Sequence, residues 1–211
     1  MPCTKHEEIA AAQAAERETM ARRRAAYELI VLEHERALLR YALRITFNRS
    51  AVAEEYVQEA LVRGYEAFLD GRFQEGSNAR AWLFKILTNR FLSAQRQNRF
   101  LSNESLEDLC STGQMPTSLQ TSPREDPGWL LLSQTFSEPI ERALAALPDD
   151  LRVAVLLVDV EEMTYVEAAN VCQIPVGTIR SRLFRARREL ALWLTTDARQ
   201  RRASEHLEGD R

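Results

Sequence analysis

The sequence predicts an all-α protein: two small helical domains joined by a flexible acidic linker, the second domain built around a helix-turn-helix. Three observations predict it. Apolar residues recur at three- and four-residue intervals through two long stretches. Only 7 glycines occur in 211 residues, too few for the turns of a sandwich or barrel. Between the two stretches, residues 101–128 lose all hydrophobic periodicity and fill with Ser, Thr, Pro and acids, a composition that buries too little surface to offset its ordering entropy.

Each element follows from its own pattern. Residues 1–25, rich in Ala, Glu and Arg, form an N-terminal extension able to make a solvated helix. In the first domain, 26–100, Leu29, Leu32, Arg36, Leu39 and Leu43 mark one helical stripe, widened by Leu38, Ala42 and Ile45. Val57, Leu61, Tyr65 and Phe68 mark a second helix, which breaks at Asp70–Gly71. After a further break at Gly76–Ser77–Asn78, a third helix from about Arg80 to Gln97 carries Trp82, Leu83, Ile86, Leu87, Phe91 and Leu92. In the second domain, 129–195, a helix near 136–147 stops at Pro148 and another runs from Asp149 to about Val160. Thr164 with Glu167 three residues on is a capping box opening a short helix to Val171. After Pro175 a longer helix reaches about Leu194, and a polar tail, 196–211, closes the chain.

The formal net charge is -3, which by itself suggests no polyanionic partner, yet the sign is strongly segregated. From Gly76 to Phe100 there are Arg80, Lys85, Arg90, Arg96 and Arg99 and no acid; from Ile174 to Leu190 there are Arg180, Arg182, Arg185, Arg187 and Arg188 against Glu189 alone. The linker holds Glu104, Glu107, Asp108, Glu125 and Asp126 against Arg124. One basic helix at the end of each domain gives two electrostatic footprints for one polyanion.

Residues 164–190 have the layout of a helix-turn-helix. On the second helix Ile179, Leu183, Ala186 and Leu190 share one face, expected to pack on the Val166/Ala169 side of the first. Arg180, Ser181, Phe184, Arg185 and Arg188 point away from it. An aromatic directed outward suits a thymine methyl in a major groove, and arginines suit guanine edges or phosphates. The alternative is a plain helical hairpin with Phe184 covered by another segment, such as the tail. Gly177 and Thr178 offer helix N-terminal N–H groups to a phosphate. Gln173 stands where a left-handed turn residue would favour glycine, at a cost of roughly 1 kcal/mol.

Other chemistry is not visible. His6, His34 and His206 are scattered, and Cys3, Cys110 and Cys172 form no CxxC pair, so neither a metal site nor a disulfide framework nor any cofactor is expected. Buried, inert thiols in a reducing compartment fit this pattern. No clustered catalytic site or Gly-rich phosphate loop stands out, which argues against an enzyme. No apolar run approaches the ~20 residues of a membrane span, and the N-terminus lacks a secretion signal, so a cytoplasmic location is expected.

Two separate motif sets then acquire a common meaning. The string Thr164-Tyr165-x-Glu167-Ala168-Ala169, followed by Ile174-Pro175-Val176-Gly177-Thr178-Ile179-Arg180-Ser181-Arg182-Leu183-x-Arg185-Ala186-Arg187, resembles region four of bacterial sigma factors, most of all the extracytoplasmic-function (ECF) group. Ala53-Glu54-Glu55-Tyr56-Val57-Gln58-Glu59-Ala60-Leu61 resembles the family's acidic region-two helix that grips the polymerase clamp. Phe73-x-x-Gly76-Ser77-Asn78-x-Arg80-Ala81-Trp82-Leu83-Phe84-Lys85-Ile86, with Asn89-Arg90, resembles its promoter-melting and −10-reading segment. Val52, Tyr56 and Cys172-Gln173 depart from the family pattern.

The resemblance implies a dissociable initiation subunit of bacterial RNA polymerase without catalytic chemistry of its own. It implies partners: the clamp of the β′ subunit and the flap of the β subunit of core polymerase, promoter DNA, and an anti-sigma factor. Carried over residue by residue, Glu54, Glu55, Val57, Gln58, Glu59 and Leu61 would bind core polymerase. Asn78, Arg80, Lys85, Asn89, Arg90, Ser93, Arg96 and Arg99 would contact the −10 element, with Asn89 reading an extruded base through its paired donor and acceptor. Gly177, Thr178, Arg180, Ser181, Phe184, Arg185 and Arg188 would contact the −35 element. Trp82, among Leu83 and Ile86, is expected in the core rather than as a stacking wedge. The competing reading is a two-domain helix-turn-helix regulator that binds duplex DNA without polymerase.

Overall fold

The computed structural model describes residues 4–73, 77–108 and 136–208, with side chains over 13–73, 77–98 and 136–199. Seven α-helices are present and no strand among the described residues. The N-terminal half holds α1 (Thr4–Ile45), α2 (Ser50–Leu69) and α3 (Ala79–Asp108); the C-terminal half holds α4 (Glu138–Ala146), α5 (Asp149–Val155), α6 (Tyr165–Cys172) and α7 (Val176–Glu208). A π-helical turn, Leu156–Val160, prolongs α5. Several ends differ from the sequence expectation. The N-terminal extension is continuous with α1, α3 runs past Gln97 to Asp108, and α7 runs past Leu194 to Glu208. The rest of the expected linker, 109–128, lies outside the described residues.

The first three helices close on one core. Leu38, Tyr41, Ala42 and Ile45 of α1 meet Ala53, Val57 and Ala60 of α2 and Leu83, Phe84, Leu87 and Phe91 of α3. The buried face of α1 is not the expected stripe: Leu29 and Leu32 are 68% and 73% exposed. The face that packs instead follows Tyr27, Val31, His34, Leu38, Tyr41 and Ile45, alternating steps of four and three. Tyr27 fixes it. Its hydroxyl donates to the Leu61 carbonyl at 2.6 Å, and its ring lies against Tyr65 and Phe68. Gly64 permits that approach, because a Cβ there would stand 2.6 Å from the Tyr27 oxygen.

In the C-terminal half, Ile179, Leu183 and Ala186 of α7 are buried as expected. Their partners on α6 are Ala168, Ala169, Val171 and Cys172, whereas Val166 is exposed. The capping box is present: Thr164 accepts from the Glu167 N–H, and the Glu167 carboxylate accepts from the Thr164 N–H and hydroxyl. Those bonds hold the Glu167 carboxyl below its ordinary pKa. Gln173 adopts φ 55° and ψ 43°, the left-handed conformation that ends α6.

The two halves pack against each other. Helix α3 lies against α6, and α1 reaches α5, so their apolar residues form one continuous cluster. Arg152 of α5 is buried at this junction, bonded to the carbonyls of Leu147 and Ile45 and stacked over the Phe47 ring.

Candidate nucleic-acid interface

Three surfaces carry the residues singled out in the sequence. On α2, Glu55 and Gln58 are exposed and Glu54 is half-buried, so an acidic face is open to a partner. Val62, one turn beyond Gln58, extends it with an exposed apolar contact that the sequence reading missed. Three of the expected clamp contacts belong elsewhere. Val57 is buried in the core and Leu61 packs against it, both at the helical phase facing α1 and α3. Glu59 turns toward α3, pairing with Arg63 at 2.6 Å and with the Arg90 guanidinium. The Glu59 hydrogen bond raises the Arg90 pKa above its ordinary value.

The second surface is a groove between α2 and α3. A cavity of about 730 Å³ is lined by Glu59, Arg63, Arg72, Trp82, Lys85, Asn89, Arg90 and Ser93, among others. Four of the residues expected at the −10 element, Lys85, Asn89, Arg90 and Ser93, therefore share one concave wall. Arg63 and Arg72 were not anticipated; the visible signal was Arg63 one turn after Glu59. Trp82 is half-buried, its ring 4.8 Å from Phe73, and so lies on the groove wall rather than deep in the core. Arg96 is exposed and donates within its own helix to the Leu92 carbonyl. Arg99 lies outside the residues whose side chains are described.

Asn78 and Arg80 stand apart from that groove. The Asn78 carbonyl accepts from the Ala81 N–H at the start of α3, while its amide donates to Glu167 of the other half at 2.7 Å. Arg80 donates to the Glu161 carboxylate at 2.6 Å and to the Glu161 carbonyl at 2.8 Å.

The third surface is the outer face of α7. Phe184 is 70% exposed, so the alternative in which another segment covers it does not hold. Tyr165, Arg180, Phe184, Arg187 and Arg188 help to line a concavity of about 390 Å³. The Arg180 guanidinium lies 6.0 Å from the Tyr165 ring centre, and Arg185 is exposed beside it. Other basic residues of α7 are engaged internally: Arg187 chelates Asp159 in a bidentate pair and Arg182 meets Asp150 at 3.3 Å. The Asp159 hydrogen bond raises the Arg187 pKa. Ser181 donates to the Thr178 carbonyl. Gly177 is exposed, but the Thr178 N–H donates to the Pro175 carbonyl, so only part of the expected anion-binding terminus is open.

A clamp-facing acidic helix, a basic groove and a helix-turn-helix with an outward aromatic define a class of protein: a two-part, promoter-reading transcription initiation subunit. Comparison with known proteins gives the family. The family model described as Sigma-70 region 2 matches residues 30–101, and that described as Sigma-70, region 4 matches residues 137–190. The ECF RNA polymerase sigma factor EcfG of Rhodopseudomonas palustris is 36% identical over 161 residues, covering 76% of this chain and 81% of that protein. The ECF RNA polymerase sigma-E factor of Escherichia coli is 30% identical over 165 residues, covering 77% of this chain and 83% of its own. Among solved structures, the sigma factor RpoE of Bartonella quintana, in complex with the anti-sigma factor NepR, superposes with a TM-score of 0.61 at 30% identity, over 82% of this chain and 98% of that one. CnrH, in complex with the cytosolic domain of CnrY, shares the fold at a TM-score of 0.55 and 21% identity, over 87% and 99%.

This chain belongs to the sigma-70 family of RNA polymerase sigma factors, in the ECF group. It is an alternative sigma factor directing promoter-specific transcription initiation. The matched families are initiation factors and include no catalytic one. No described helix is long and apolar enough to cross a membrane.

Proposed function

We propose a division of labour among the three surfaces. The exposed face of α2, with Glu54, Glu55, Gln58 and Val62, docks on a basic helical element of the β′ clamp of core polymerase. Attraction there is electrostatic at the rim, with Val62 as the apolar anchor. The α2–α3 groove takes the opened −10 strand: Arg63, Arg72, Lys85, Arg90, Arg96 and Arg99 follow the phosphates, and Asn89 hydrogen-bonds an extruded base. The outer face of α7 enters the major groove at −35, with Phe184 against a thymine methyl and Arg180, Arg185 and Arg188 on bases or phosphates. The C-terminal half meets the β flap.

One observation carries this reading. Lys85, Asn89, Arg90 and Ser93 converge on a single concave wall, while Phe184 projects from a separate face of α7. Each surface alone is a weak DNA binder, and the chain's net negative charge opposes binding to bulk DNA. Mounted together on polymerase at promoter spacing, the two contacts gain effective concentration. An anti-sigma factor that keeps this protein from polymerase, in the cytoplasm, fits the same picture. The RpoE and CnrH structures, each of a sigma factor with its inhibitor, support that partner. The acids Glu104, Glu107, Asp108, Glu125 and Asp126, outside the described side chains, mimic nascent RNA in the polymerase channel; neutralising them should alter the ratio of abortive to full-length transcripts.

The test is transcription from a pool of genomic fragments by core polymerase with and without this protein. Discrete new start sites, whose alignment yields two upstream elements, are expected. Mutating Arg180 and Phe184 should weaken use of the distal element, and mutating Asn89 the proximal one. Duplex binding without polymerase, and no new start sites, would instead favour the regulator reading.

A further inference from the structure

The contact between the two halves consumes residues that the promoter strand needs. Glu161 is 5% exposed, and its two carboxylate oxygens are shared between the halves: Oε2 pairs with Arg80 at 2.6 Å and Oε1 with Arg44 at 3.6 Å. Its backbone carbonyl takes the other Arg80 nitrogen at 2.8 Å. The turn is shaped for this. Glu162 sits at φ 56°, and the N–H groups of Glu161 and Met163 return to the carbonyls of Leu156 and Leu157. A second acid from the same segment, Glu167, accepts the Asn78 amide. The Asn78 carbonyl already caps α3, so its donor side is what a ligand could use, and that side is taken.

We infer that Glu161 and Glu167 act as an intramolecular stand-in for the promoter strand, holding the free chain in a closed form in which Arg80 and Asn78 cannot bind DNA. The inference rests on the placement of the −10 contacts above. Two features make the contact a latch rather than a fixed structural pair. The acids are tethered, so they face Arg80 at an effective concentration that dilute DNA off the polymerase does not match. Glu161 is nearly dry when closed, so it cannot simply give up Arg80 to a phosphate while the halves stay packed. Leaving Arg44 or Glu161 buried without a partner is strongly unfavourable, so release requires the halves to separate and Glu161 to meet water. Docking the two halves at separate points on polymerase would supply that separation, coupling DNA competence to assembly.

The experiment uses the full chain with two readouts, radius of gyration by small-angle scattering and anisotropy of a labelled mixed-sequence 12-nucleotide single strand at one fixed low salt. Glu161→Gln removes the buried charge. Glu167→Gln removes the exposed one while keeping an N3 residue that can complete a capping box, so it guards against misfolding of the first variant. The double variant should expand and bind the strand about tenfold more tightly. Adding Arg80→Ala should erase the gain. Expansion without tighter binding, or no change in either readout for a variant that folds, would overturn the latch. If the opened variant binds tightly but Lys85→Ala and Asn89→Ala leave that binding unchanged, the groove assignment fails and the latch stands.

Discussion

The guanidinium of Arg152 in α5 donates to the carbonyl of Ile45, the last residue of α1, across 3.3 Å. It also donates to the Leu147 carbonyl and the Asp149 carboxylate and stacks 4.1 Å from the centre of the Phe47 ring. The side chain is 1% exposed, burial lowers its pKa, and its Nε atom has no hydrogen-bond partner. A cation therefore ties the end of a region-two helix to the start of region four.

Replacing Arg152 by Met keeps the hydrocarbon contact but strands Ile45 and Leu147 carbonyls and removes a cationic partner of Asp149. The expected cost is about 2–4 kcal/mol. Because Arg152 joins the halves, their unfolding should also uncouple. Urea titrations followed at Trp82 and at Trp193, in single-tryptophan backgrounds, should show separated transitions where the parent's coincide.

Gln173→Gly should stabilise the protein. The left-handed conformation costs a residue with a Cβ about 1 kcal/mol, and glycine adopts it freely. Gln173 is exposed, so no buried contact offsets the gain. A rise of about 2–4 °C in the thermal midpoint is expected, and an unchanged midpoint would mean the turn relaxes at little cost.

That turn also shows what local sequence could reveal. The capping box at Thr164 and the strain at Gln173 were legible because both depend on residues within a few positions of each other. The α7 core face was legible for the same reason. The α1 face was not: Leu29 and Leu32 look like core until Tyr27 is placed against Leu61, a contact 34 residues away. Glu59 was assigned to the clamp face by motif, yet its direction is set by Arg90 on another helix. The engagement of Arg80 with Glu161 spans 81 residues, and nothing within either motif signals it.

Gly64→Ala should destabilise the N-terminal half by about 1–3 kcal/mol, since overpacking forces neighbouring groups to shift. The new methyl would meet the Tyr27 oxygen at 2.6 Å and Leu83 Cδ2 at 3.2 Å. Tyr27→Phe removes that oxygen and, with it, the bond to the Leu61 carbonyl, which alone costs about 1 kcal/mol. A double-mutant cycle should therefore be sub-additive, because the second change relieves the clash introduced by the first. Simple additivity would show that the strain falls on Leu83 instead.

Burial pushes the Cys172 thiol up to about 11, only partly opposed by the nearby Arg182 cation. The unfolded chain loses this proton first, so the native state holds more protons across the intervening range. Its contribution to stability is complete below about pH 9 and is lost as pH rises toward 11, amounting to roughly 1–3 kcal/mol. Chemical denaturation at stepped pH should show that alkaline decline, and Cys172→Ala should flatten it. In the folded protein at pH 8, alkylating reagents should label Cys172 only as fast as the chain opens.

Phe184→Ala separates a functional role from a structural one. At 70% exposure its ring contributes little to the core, so stability should stay within about 0.5 kcal/mol of the parent. If the ring packs on a thymine methyl in the −35 element, its loss should cost about 1–3 kcal/mol of recognition, or roughly 5- to 150-fold in use of that element. Initiation by reconstituted polymerase should fall by that factor on the parent promoter. It should fall less on a template whose −35 thymines are replaced by uracil, which lacks the methyl, because the contact is already missing there. Equal losses on both templates would mean that Phe184 acts by holding the Tyr165–Arg180 side of the concavity rather than by touching a base. In that case Tyr165→Ala should reproduce the defect.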